Sequence, residues 1–285
     1  MRIDLHTHSR ISDGEDTPTA LVAKASQAEL DVIALTDHDT FAGVAEAQEA
    51  GKRMGVKVLA GIELSTQVDG RPVHVLGYGC NPHDATLAAE LRRLRDSRRE
   101  RMPVMCARLT EAGLPLTPED VHAVVGAPVS VGRPHVADAM VAKGYVASRD
   151  EAFEKWLALG KPGYVQRYAI DVGGGIDLIH DAGGAAVLAH PWSRGNRDTL
   201  AAPFIQKLQD QHGLDGIEVD HEDHDMHTRS LLMEMGGRMG LIRTGSSDYH
   251  GAGKPNLLGE HTTALEQFER LLAAAPGQRL LGASP

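Results

Sequence analysis

The segment Ile3-Asp4-Leu5-His6-Thr7-His8-Ser9 decides how this 285-residue chain is interpreted. The chain is strand-like from its first residues, and two histidines separated by a single residue follow directly. Side chains at positions i and i+2 of an extended segment point the same way, so both imidazoles can reach one metal ion. The segment therefore predicts a strand whose end carries a pair of candidate metal ligands.

Composition narrows the class of protein. Apolar residues make up 42% of the chain, which is enough for a sizeable core and excludes a disordered protein. Aromatic residues, at 4%, supply few stacking platforms for single-stranded nucleic acid. The formal net charge of −10 argues against tight binding to bulk or duplex nucleic acid and to an anionic membrane surface.

Cysteine usage and hydropathy bear on the cellular location. Cys80 and Cys106 are too few for a disulfide framework and lack metal-ligand spacing, so two reduced thiols are expected. No signal peptide precedes the first strand, and no apolar run approaches the roughly 18 residues that a membrane-spanning helix needs. We expect a cytoplasmic protein with no membrane partner.

Short apolar runs recur along the chain, and most of them precede a helical pattern. They lie at 3–5, 32–35, 56–62, 72–76, 185–189, 216–219 and 241–244. The run at 72–76 follows a turn at Asp69-Gly70 and is expected to form a hairpin with the run before it. Strands that alternate with helices indicate a parallel α/β sheet, and about seven repeats indicate a barrel.

Helix signals divide the chain. Thr17-Pro18 predicts a helix start, and a helix over 40–54 is expected to end at Gly55. Residues 81–160 contain no convincing strand, but they contain two sequences that resemble capping boxes, at 117–120 and 148–151. We therefore predict barrel segments 1–80 and 161–285, which carry the metal site, and a helical insertion at 81–160 that contributes substrate recognition.

Further histidines and acids lie at or near the ends of the other predicted strands. They are Asp13, the Asp37-His38-Asp39 cluster, Glu63, His74, His190, Asp248 and His250. The carboxyl ends of parallel barrel strands meet at one face, where such side chains converge. The alternative is that they are unrelated polar residues that cap strands. That reading suits any single one, but it does not suit nine together, because six of the fifteen histidines fall in or beside seven short strands.

Six motifs resemble those of the PHP (polymerase and histidinol phosphatase) phosphoesterase family. They are HTHS at 6–9, SDG at 12–14, TDHD at 36–39, GIELS at 61–65, LAHP at 188–191 and GSSDYH at 245–250. The resemblance extends from residue 2 to about residue 250. It implies an α/β fold, specifically a distorted (β/α)7 TIM-like barrel that holds up to three divalent ions.

The resemblance also implies a ligand set at matching positions, with no departure from the family's nine-ligand pattern. A first ion would bind His6, His8, Glu63 and Asp248. Glu63 would bridge to a second ion bound by His74 and His190, while Asp13, His38 and His250 would hold a third. We assign catalytic roles to Asp13, His38, Glu63 and His250. The complete ligand set favours an enzyme over a degenerate scaffold.

The residue types fit such a site independently of the resemblance. Imidazoles and carboxylates without thiolate suit Mn²⁺, Zn²⁺ or Fe²⁺, and they disfavour all-oxygen Ca²⁺ sites and structural zinc. Clustered ions lower the pKa of a shared water towards ~7 and neutralise phosphate oxygens. We expect two to three divalent ions as cofactors, with manganese first and zinc or iron as alternatives.

An arginine-rich stretch in the insertion indicates the substrate. Six arginines lie within 92–101, and Arg133-Pro134-His135 is a second candidate anion clamp. A solvated helix face is the alternative, but arginine without lysine in an acidic chain favours bidentate phosphate recognition. The residues predicted to bind substrate are Arg98, Arg99, Arg101, Arg133 and His135.

Size, insertion position and these basic residues resemble the nucleoside 3′,5′-bisphosphate phosphatase branch of the family, which includes RNase AM-like members that trim short RNA from the 5′ end. The resemblance implies removal of the 3′-phosphate, with insertion arginines holding the other phosphate. A small phosphorylated nucleotide or a short oligonucleotide is the expected partner.

Other readings stay open at this point. Histidinol phosphate phosphatase shares the core, and the 221–225 loop could supply acidic partners for its cationic substrate. A C–N amidohydrolase and a non-catalytic polymerase-accessory module are alternatives of other classes. The lack of a strand-end lysine disfavours the amidohydrolase. The complete ligand set disfavours the non-catalytic module.

Several motifs are assigned no ligand role. The tract 221–227 is expected to be a solvated loop at the barrel mouth, with substrate contact as its alternative. Gly173-Gly174-Gly175 lacks the ending of a phosphate-binding P-loop and is expected to be a loop entering a helix. His122, His180, His212 and His261 are expected to be surface or core residues.

Overall fold

A computed structural model describes residues 1–126, 128–252 and 254–276 of the chain, and all seven predicted strands are present. An eighth, two-residue strand was not expected. The strands are β1 (Ile3–Thr7), β2 (Val32–Leu35), β3 (Lys57–Val68), β4 (Arg71–Tyr78), β5 (Ile170–Asp171), β6 (Ala185–Leu188), β7 (Gly216–Asp220) and β8 (Ile242–Gly245).

The strands form one sheet in the order β1-β2-β3-β4-β6-β7-β8, with β5 paired to β3. Neighbours are parallel except at β4, which runs antiparallel to both β3 and β6. The sheet curls until Thr7, at the end of β1, bridges to Tyr249, just beyond β8. The predicted distorted seven-stranded barrel is confirmed, and the reversed β4 is its main distortion.

Ten α-helices surround or extend this sheet in the described part of the chain. They are α1 (Pro18–Gln27), α2 (Val44–Met54), α3 (Ala85–Glu111), α4 (Pro118–Val125), α5 (Arg133–Ala142), α6 (Arg149–Ala152), α7 (Val172–Asp181), α8 (Ala202–His212), α9 (Met226–Arg238) and α10 (Leu265–Ala274). A π-helical turn, Phe153–Leu157, follows α6, and a 3-10 turn, Ser193–Gly195, precedes α8. Among the described residues, none of these helices has the length and apolarity needed to cross a membrane.

The helix-end signals are largely confirmed. The Thr17 side chain accepts a hydrogen bond from the Ala20 amide at the start of α1, and Gly55 ends α2 in the left-handed region at φ 75°. The predicted start of α2 at residue 40 is wrong, because the helix begins at Val44. Residues 40–43 instead form the end of the loop that carries His38.

The region 81–160 consists of helices joined by turns and loops, with no strand in 81–126 or 128–160. Its long helix α3 belongs to two cores. Leu87, Leu91 and Leu94 pack into the barrel core, whereas Met102 and Met105 pack into a cluster formed with α4 and α5. The division of the chain at residues 81 and 160 stays a prediction, because α3 is shared between the two cores.

Burial of the strand bodies determines where polar side chains emerge. Every residue of β1, β2 and β6 is buried, so their register is set by the apolar side chains that pack on both faces. The residues that directly follow these strands are His8, Thr36 and Ala189. The loops that begin there therefore start at one common end of the barrel.

The glycine triplet 173–175 lies inside α7, so the prediction of a loop entering a helix is wrong. A Cβ atom on Gly173 would lie 2.4 Å from Nε2 of His212, and one on Gly175 would lie 2.6 Å from Cγ2 of Thr66. A Cβ on Gly174 would meet only Ile170, at 3.4 Å. Close packing of α7 against β3 and α8 therefore requires the first and third glycines but not the second.

Two alanine substitutions in this helix should have opposite effects on the free energy of unfolding. Gly174→Ala should raise it by about 0.5–1 kcal/mol, because alanine restricts the unfolded chain and favours helix. Gly175→Ala should lower it by about 1–3 kcal/mol, because the new methyl group overlaps Thr66. Urea denaturation of both variants measures this, and changes of the same sign would contradict the packing explanation.

Candidate metal centre

The nine candidate ligands lie together at the end of the barrel where β1, β2 and β6 finish. None is more than 9% exposed. They are His6, His8, Asp13, His38, Glu63, His74, His190, Asp248 and His250. Residues that are 244 positions apart in sequence thus share one buried cluster.

The first group contains His6, His8, Glu63 and Asp248. The Nε2 atoms of His6 and His8 are 3.1 Å apart. Oε2 of Glu63 lies 3.4 Å from the first and 3.1 Å from the second, and Oδ1 of Asp248 lies 3.3 Å from each. Two nitrogens and two oxygens therefore converge on one point, as four ligand atoms of a metal ion do.

Glu63 faces a second group through its other oxygen. Oε1 of Glu63 is 2.6 Å from Nδ1 of His74 and 3.2 Å from Nε2 of His190. Nδ1 of His38 lies 3.1 Å from Oε2 of the same carboxylate. Because its two oxygens face two groups of histidines, Glu63 has the geometry of a bridging carboxylate.

The third group surrounds Asp13. Its Oδ1 lies 3.3 Å from Nε2 of His250, and its Oδ2 lies 3.6 Å from Nε2 of His38. The ring of His8 stacks on that of His250, with centroids 4.1 Å apart, and adds a fourth donor to this group.

A carboxylate that the sequence analysis missed orients two of these rings. Oε1 of Glu218, a fully buried residue of β7, lies 3.2 Å from Nδ1 of His6, and Oε2 accepts a hydrogen bond from the backbone amide of His190 at 2.8 Å. A His–carboxylate pair of this kind directs the other ring nitrogen inward. An acid inside an otherwise apolar strand, Gly216-Ile217-Glu218-Val219, was the available signal.

The charges of the cluster are mutually compensated. Burial raises the pKa of Glu63, but the imidazoles of His38, His74 and His6 outweigh it and hold that pKa well below its usual value. Burial also lowers the pKa of His38 well below its usual value. Deprotonated carboxylate and neutral imidazole are the forms that bind metal ions.

The raised pKa values of His6 and His8 also show that the cluster needs positive charge. Burial lowers the pKa of His6, but Glu218, Asp248 and Glu63 together raise it well above its usual value. The pKa of His8 rises to about 9 through contacts with Asp248 and Glu63, although burial opposes this. A divalent cation between these carboxylates would supply the charge that protons on the two rings otherwise supply. The donor set therefore fits divalent ions.

The expectation of a solvated loop at 221–227 is wrong at its first residue. His221 is fully buried, with its Nε2 3.4 Å from Oδ2 of Asp248, and His224 is also buried. Met226, at 85% exposed, does lie in solvent. His221 directly follows β7, just as His8 directly follows β1, and this position was the signal that the sequence analysis overlooked.

Lys254 is a second cluster residue that sequence reasoning missed. Its Nζ lies 2.6 Å from Oδ2 of Asp248, and the side chain lines the cavity above the cluster. It follows His250 in a loop without periodic pattern, so no sequence signal connected it to the site.

A cavity of about 710 Å³ opens above the cluster and extends to the insertion. Its wall includes Arg98, Arg101 and Arg133, which were predicted to bind substrate, together with Arg71, Arg149 and Arg167, which were not predicted. Arg98 also contacts the barrel, because its Nε donates to Oδ2 of Asp39 at 2.7 Å. Six arginines therefore line the same space as the histidine cluster.

Two residues predicted to bind substrate lie elsewhere. The Arg99 side chain is 67% exposed and pairs with Asp96 at 3.2 Å, and it is absent from the cavity wall because it projects from the opposite face of α3. His135 is buried behind the wall, where its Nδ1 accepts a hydrogen bond from the amide of Gly132 at 2.8 Å. Neither position supports direct contact with a substrate.

The four histidines that were expected to be surface or core residues agree with that expectation. His180 pairs with Asp215 at 2.8 Å and His212 with Asp177 at 3.0 Å, both away from the cluster. His122 bonds the backbone of its own helix end. His261 lies 3.3 Å from Glu222 at the partly exposed rim.

Comparison with known proteins agrees with the motifs. Residues 4–116 match the PHP domain family. A 3′,5′-nucleoside bisphosphate phosphatase of Chromobacterium violaceum is 37% identical over 255 residues, which are 88% of this chain and 88% of that protein. A 5′-3′ exoribonuclease of Haemophilus influenzae is 32% identical over 252 residues, covering 87% of this chain and 90% of the relative.

The fold has a close counterpart among solved structures. A Bifidobacterium adolescentis protein described as a metal-dependent phosphoesterase superposes with a TM-score of 0.92 at 34% identity, covering 99% of this chain and 98% of that chain. Motifs, cluster geometry, sequence identity and fold therefore agree. The chain belongs to the PHP domain family.

Proposed function

We propose that the protein is a metal-dependent phosphatase that hydrolyses the 3′-phosphate of nucleoside 3′,5′-bisphosphates and that also trims short oligoribonucleotides in the 5′-to-3′ direction. One observation carries the proposal: a single cavity joins the metal-ligand cluster to a group of arginines on the insertion. Such a cavity can hold two phosphates of one molecule at the same time. The names of the relatives from C. violaceum and H. influenzae support this substrate class.

The arginines of the cavity wall have too few acidic partners to neutralise them. Nε of Arg101 is buried and has no hydrogen-bond partner among the described residues. Burial, followed by the neighbouring Arg167, Arg133 and Arg98, lowers the pKa of Arg101 well below its usual value. A buried guanidinium without a counterion destabilises a fold, so the position of Arg101 is best explained by an anion that binds when the enzyme works.

The arginines around Arg101 also have few acidic partners. Burial and Arg98 lower the pKa of Arg167 to about 9, although Asp39 opposes them. Asp39 is hydrogen-bonded to Arg98 and Ser65, so this one carboxylate is shared between Arg98 and Arg167. A substrate phosphate, with several acceptor oxygens, matches the forked geometry of guanidinium groups.

At the other end of the cavity, the cluster residues would hold two to three divalent ions in the three groups described above. Manganese is the first choice, with zinc or iron as alternatives, because imidazole and carboxylate donors without thiolate suit all three. When bound, such ions supply Lewis acidity towards a phosphate and activate a water molecule. The protein's own part is to hold the ligands rigidly, with Glu63 linking two groups and Glu218 orienting His6.

Lys254 and the arginines complete the proposed recognition. Lys254 reaches the cluster from the loop after β8 and would face the scissile phosphate. Arg101 and Arg133 would hold the second phosphate at the other end of the cavity. The cytoplasmic location and a substrate-binding insertion at 81–160 stay predictions.

One alternative retains a structural basis. Glu222 and Asp223 line the same cavity and would face a cationic amine such as that of histidinol phosphate. In that case the guanidinium groups of Arg101 and Arg167 would have no anionic ligand. A bisphosphate would therefore find partners among more residues of the cavity wall than histidinol phosphate would.

A substrate panel tests the proposed activity. Metal-loaded protein should release phosphate from adenosine 3′,5′-bisphosphate faster than from histidinol phosphate, because only the bisphosphate places a phosphate at each end of the cavity. A short 5′-phosphorylated RNA, whose first nucleotide carries a 5′-phosphate and a 3′-phosphodiester, should release nucleoside 5′-monophosphates. Chromatography of the product should show adenosine 5′-monophosphate. Faster turnover of histidinol phosphate, or a 3′-monophosphate product, would overturn the proposal.

Two ligand substitutions should differ in their effect on bound metal. Glu63→Ala should disturb two groups at once, whereas His250→Ala should remove only the ion of the third group. Elemental analysis of the purified variants gives the metal content per chain, with the exposed His227→Ala as the matched control. EDTA should abolish hydrolysis by the wild type. Unchanged metal content and turnover in Glu63→Ala would show that the bridging assignment is wrong.

Substitution of cavity arginines should alter selectivity. Arg101→Met and Arg133→Met should each lower kcat/KM for the bisphosphate about ten- to hundredfold, the equivalent of one charge-assisted contact of roughly 1.5–3 kcal/mol. Hydrolysis of p-nitrophenyl phosphate, which has no second phosphate, should change little.

Arg99→Met is the matched control for these variants, because Arg99 lies on the same helix but outside the cavity. It should behave as the wild type on both substrates. Arg101→Met should not lower the free energy of unfolding, since it removes a buried and under-compensated charge. Equal losses on both substrates, or a marked destabilisation of Arg101→Met, would indicate a structural role instead.

A further inference from the structure

The insertion contacts two loops of the barrel, and each loop carries one ligand of the third group. One loop runs from Ser9 to Gly14 and carries Asp13, and the other follows β2 and carries His38. Both loops are contacted by the insertion in addition to the barrel. These contacts give 81–160 a second role beside substrate recognition.

The Asp13 loop is held by the segment before α5. The backbone amides of Val129 and Ser130 both donate to the carbonyl of Ile11, at 3.0 and 3.2 Å. The ring of His135 accepts a hydrogen bond at Nδ1 from Gly132, which leaves the proton on Nε2. Gly132 lies just after Val129 and Ser130, so His135 holds this segment in place at the start of α5. Two backbone donors of the insertion therefore set the position of the Asp13 loop, and His135 holds the segment that carries them.

The His38 loop is held by α3. Asp39, the next residue, has a φ of 55°, a strained conformation for a residue other than glycine. Arg98 donates to its carboxylate at 2.7 Å and to the hydroxyl of Ser65 at 2.6 Å. Arg95 donates to the backbone carbonyl of Asp39 at 2.7 Å. These arginines compensate for the strained backbone beside His38.

The first group is supported differently. His6 lies in β1 and His8 directly follows that strand, while Glu218 of β7 orients His6. Glu63 lies within β3, whose hydrogen bonds to β4 pair Glu63 with Leu76. The barrel alone therefore holds the first group, whereas the third group depends on loops that the insertion contacts.

We propose that the insertion positions the third metal ion, and that Arg98 and His135 act as positioning residues for Asp13 and His38. This inference rests on the metal assignment made under the proposed function. It gives His135 a role that its burial behind the cavity wall otherwise leaves unexplained. It also explains why two donor groups of Arg98 form hydrogen bonds to the barrel and do not point into the cavity.

Titration of metal-free protein with Mn²⁺, followed by calorimetry, tests the proposal without any substrate. Arg98→Met and His135→Phe should bind the ion of the third group roughly 10- to 100-fold more weakly, the usual effect of removing a residue that orients a metal ligand. Binding to the first group should be unchanged. His135→Gln, whose side-chain carbonyl can still accept from the Gly132 amide, should recover most of the affinity.

The matched control is Lys143→Met, which removes an ion pair with Asp120 inside the insertion and should bind Mn²⁺ as the wild type does. His250→Ala identifies which binding event belongs to the third group. If that variant loses an ion while Arg98→Met and His135→Phe bind normally, the insertion does not position the ion. Equal weakening of every ion in those two variants, or no rescue by His135→Gln, would overturn the proposal as well.

If His250→Ala also binds as the wild type does, the metal assignment itself fails, and this inference fails with it. The substrate panel is independent of that result, because it measures turnover and product identity and not ion number. Failure of the positioning role and failure of the proposed activity are therefore distinguishable.

Discussion

Three buried carboxylates surrounded by six imidazoles constrain the rest of this structure. Asp13, Glu63 and Asp248 are almost inaccessible to water, so their charges must be compensated within a few ångströms. The histidines that compensate them come from β1, β4 and the loops after β2, β6 and β8. Only a sheet curled into a nearly closed barrel brings these positions to one point. Barrel closure and the charge balance of the cluster therefore depend on each other.

The cluster has a supporting layer that is as buried as the ligands themselves. Asp4 receives hydrogen bonds from Ser247 and Gly259, and Asp37 receives them from Ser9 and Ser12. These contacts join the loops after β1, β2 and β8 directly. The ligand loops are consequently fixed from below by polar contacts and not by apolar packing, which is how short loops keep defined positions.

The insertion adds a region of opposite charge. The barrel end concentrates carboxylates, whereas the facing wall of α3 and its neighbours concentrates arginines, with Asp39 and Asp138 as their close acidic partners. A cavity with metal ligands at one end and guanidinium groups at the other suits a substrate that carries negative charge at both ends. Because the two walls belong to segments distant in sequence, the barrel and the helical region must pack in one fixed way for the cavity to exist.

Local patterns determined most of the fold and all nine candidate ligands. Alternation of apolar runs with helical segments predicted seven strands, and the spacing of His6 and His8 predicted that their rings share a face, because both are properties of neighbouring residues. The reversal of β4 was foreseen from the turn at Asp69-Gly70. The start of α2 was placed too early, because residues 40–43 belong to the loop that carries His38. The glycine triplet was misjudged, because its place in α7 depends on close packing against Thr66 rather than on local propensity.

The sequence by itself thus established the barrel, the histidine and carboxylate cluster and the presence of basic residues in 81–160. Tertiary structure alone decided which of those basic residues face the cavity. On one helix, Arg98 and Arg101 point inward and Arg99 points outward, and Arg149 and Arg167 join them from elsewhere in the chain. It also decided that Glu218 and His221 are buried beside the cluster. The physical reason is that direction and burial follow from packing against distant elements, and a helical pattern with a weak amphipathic signal such as α3 does not specify them.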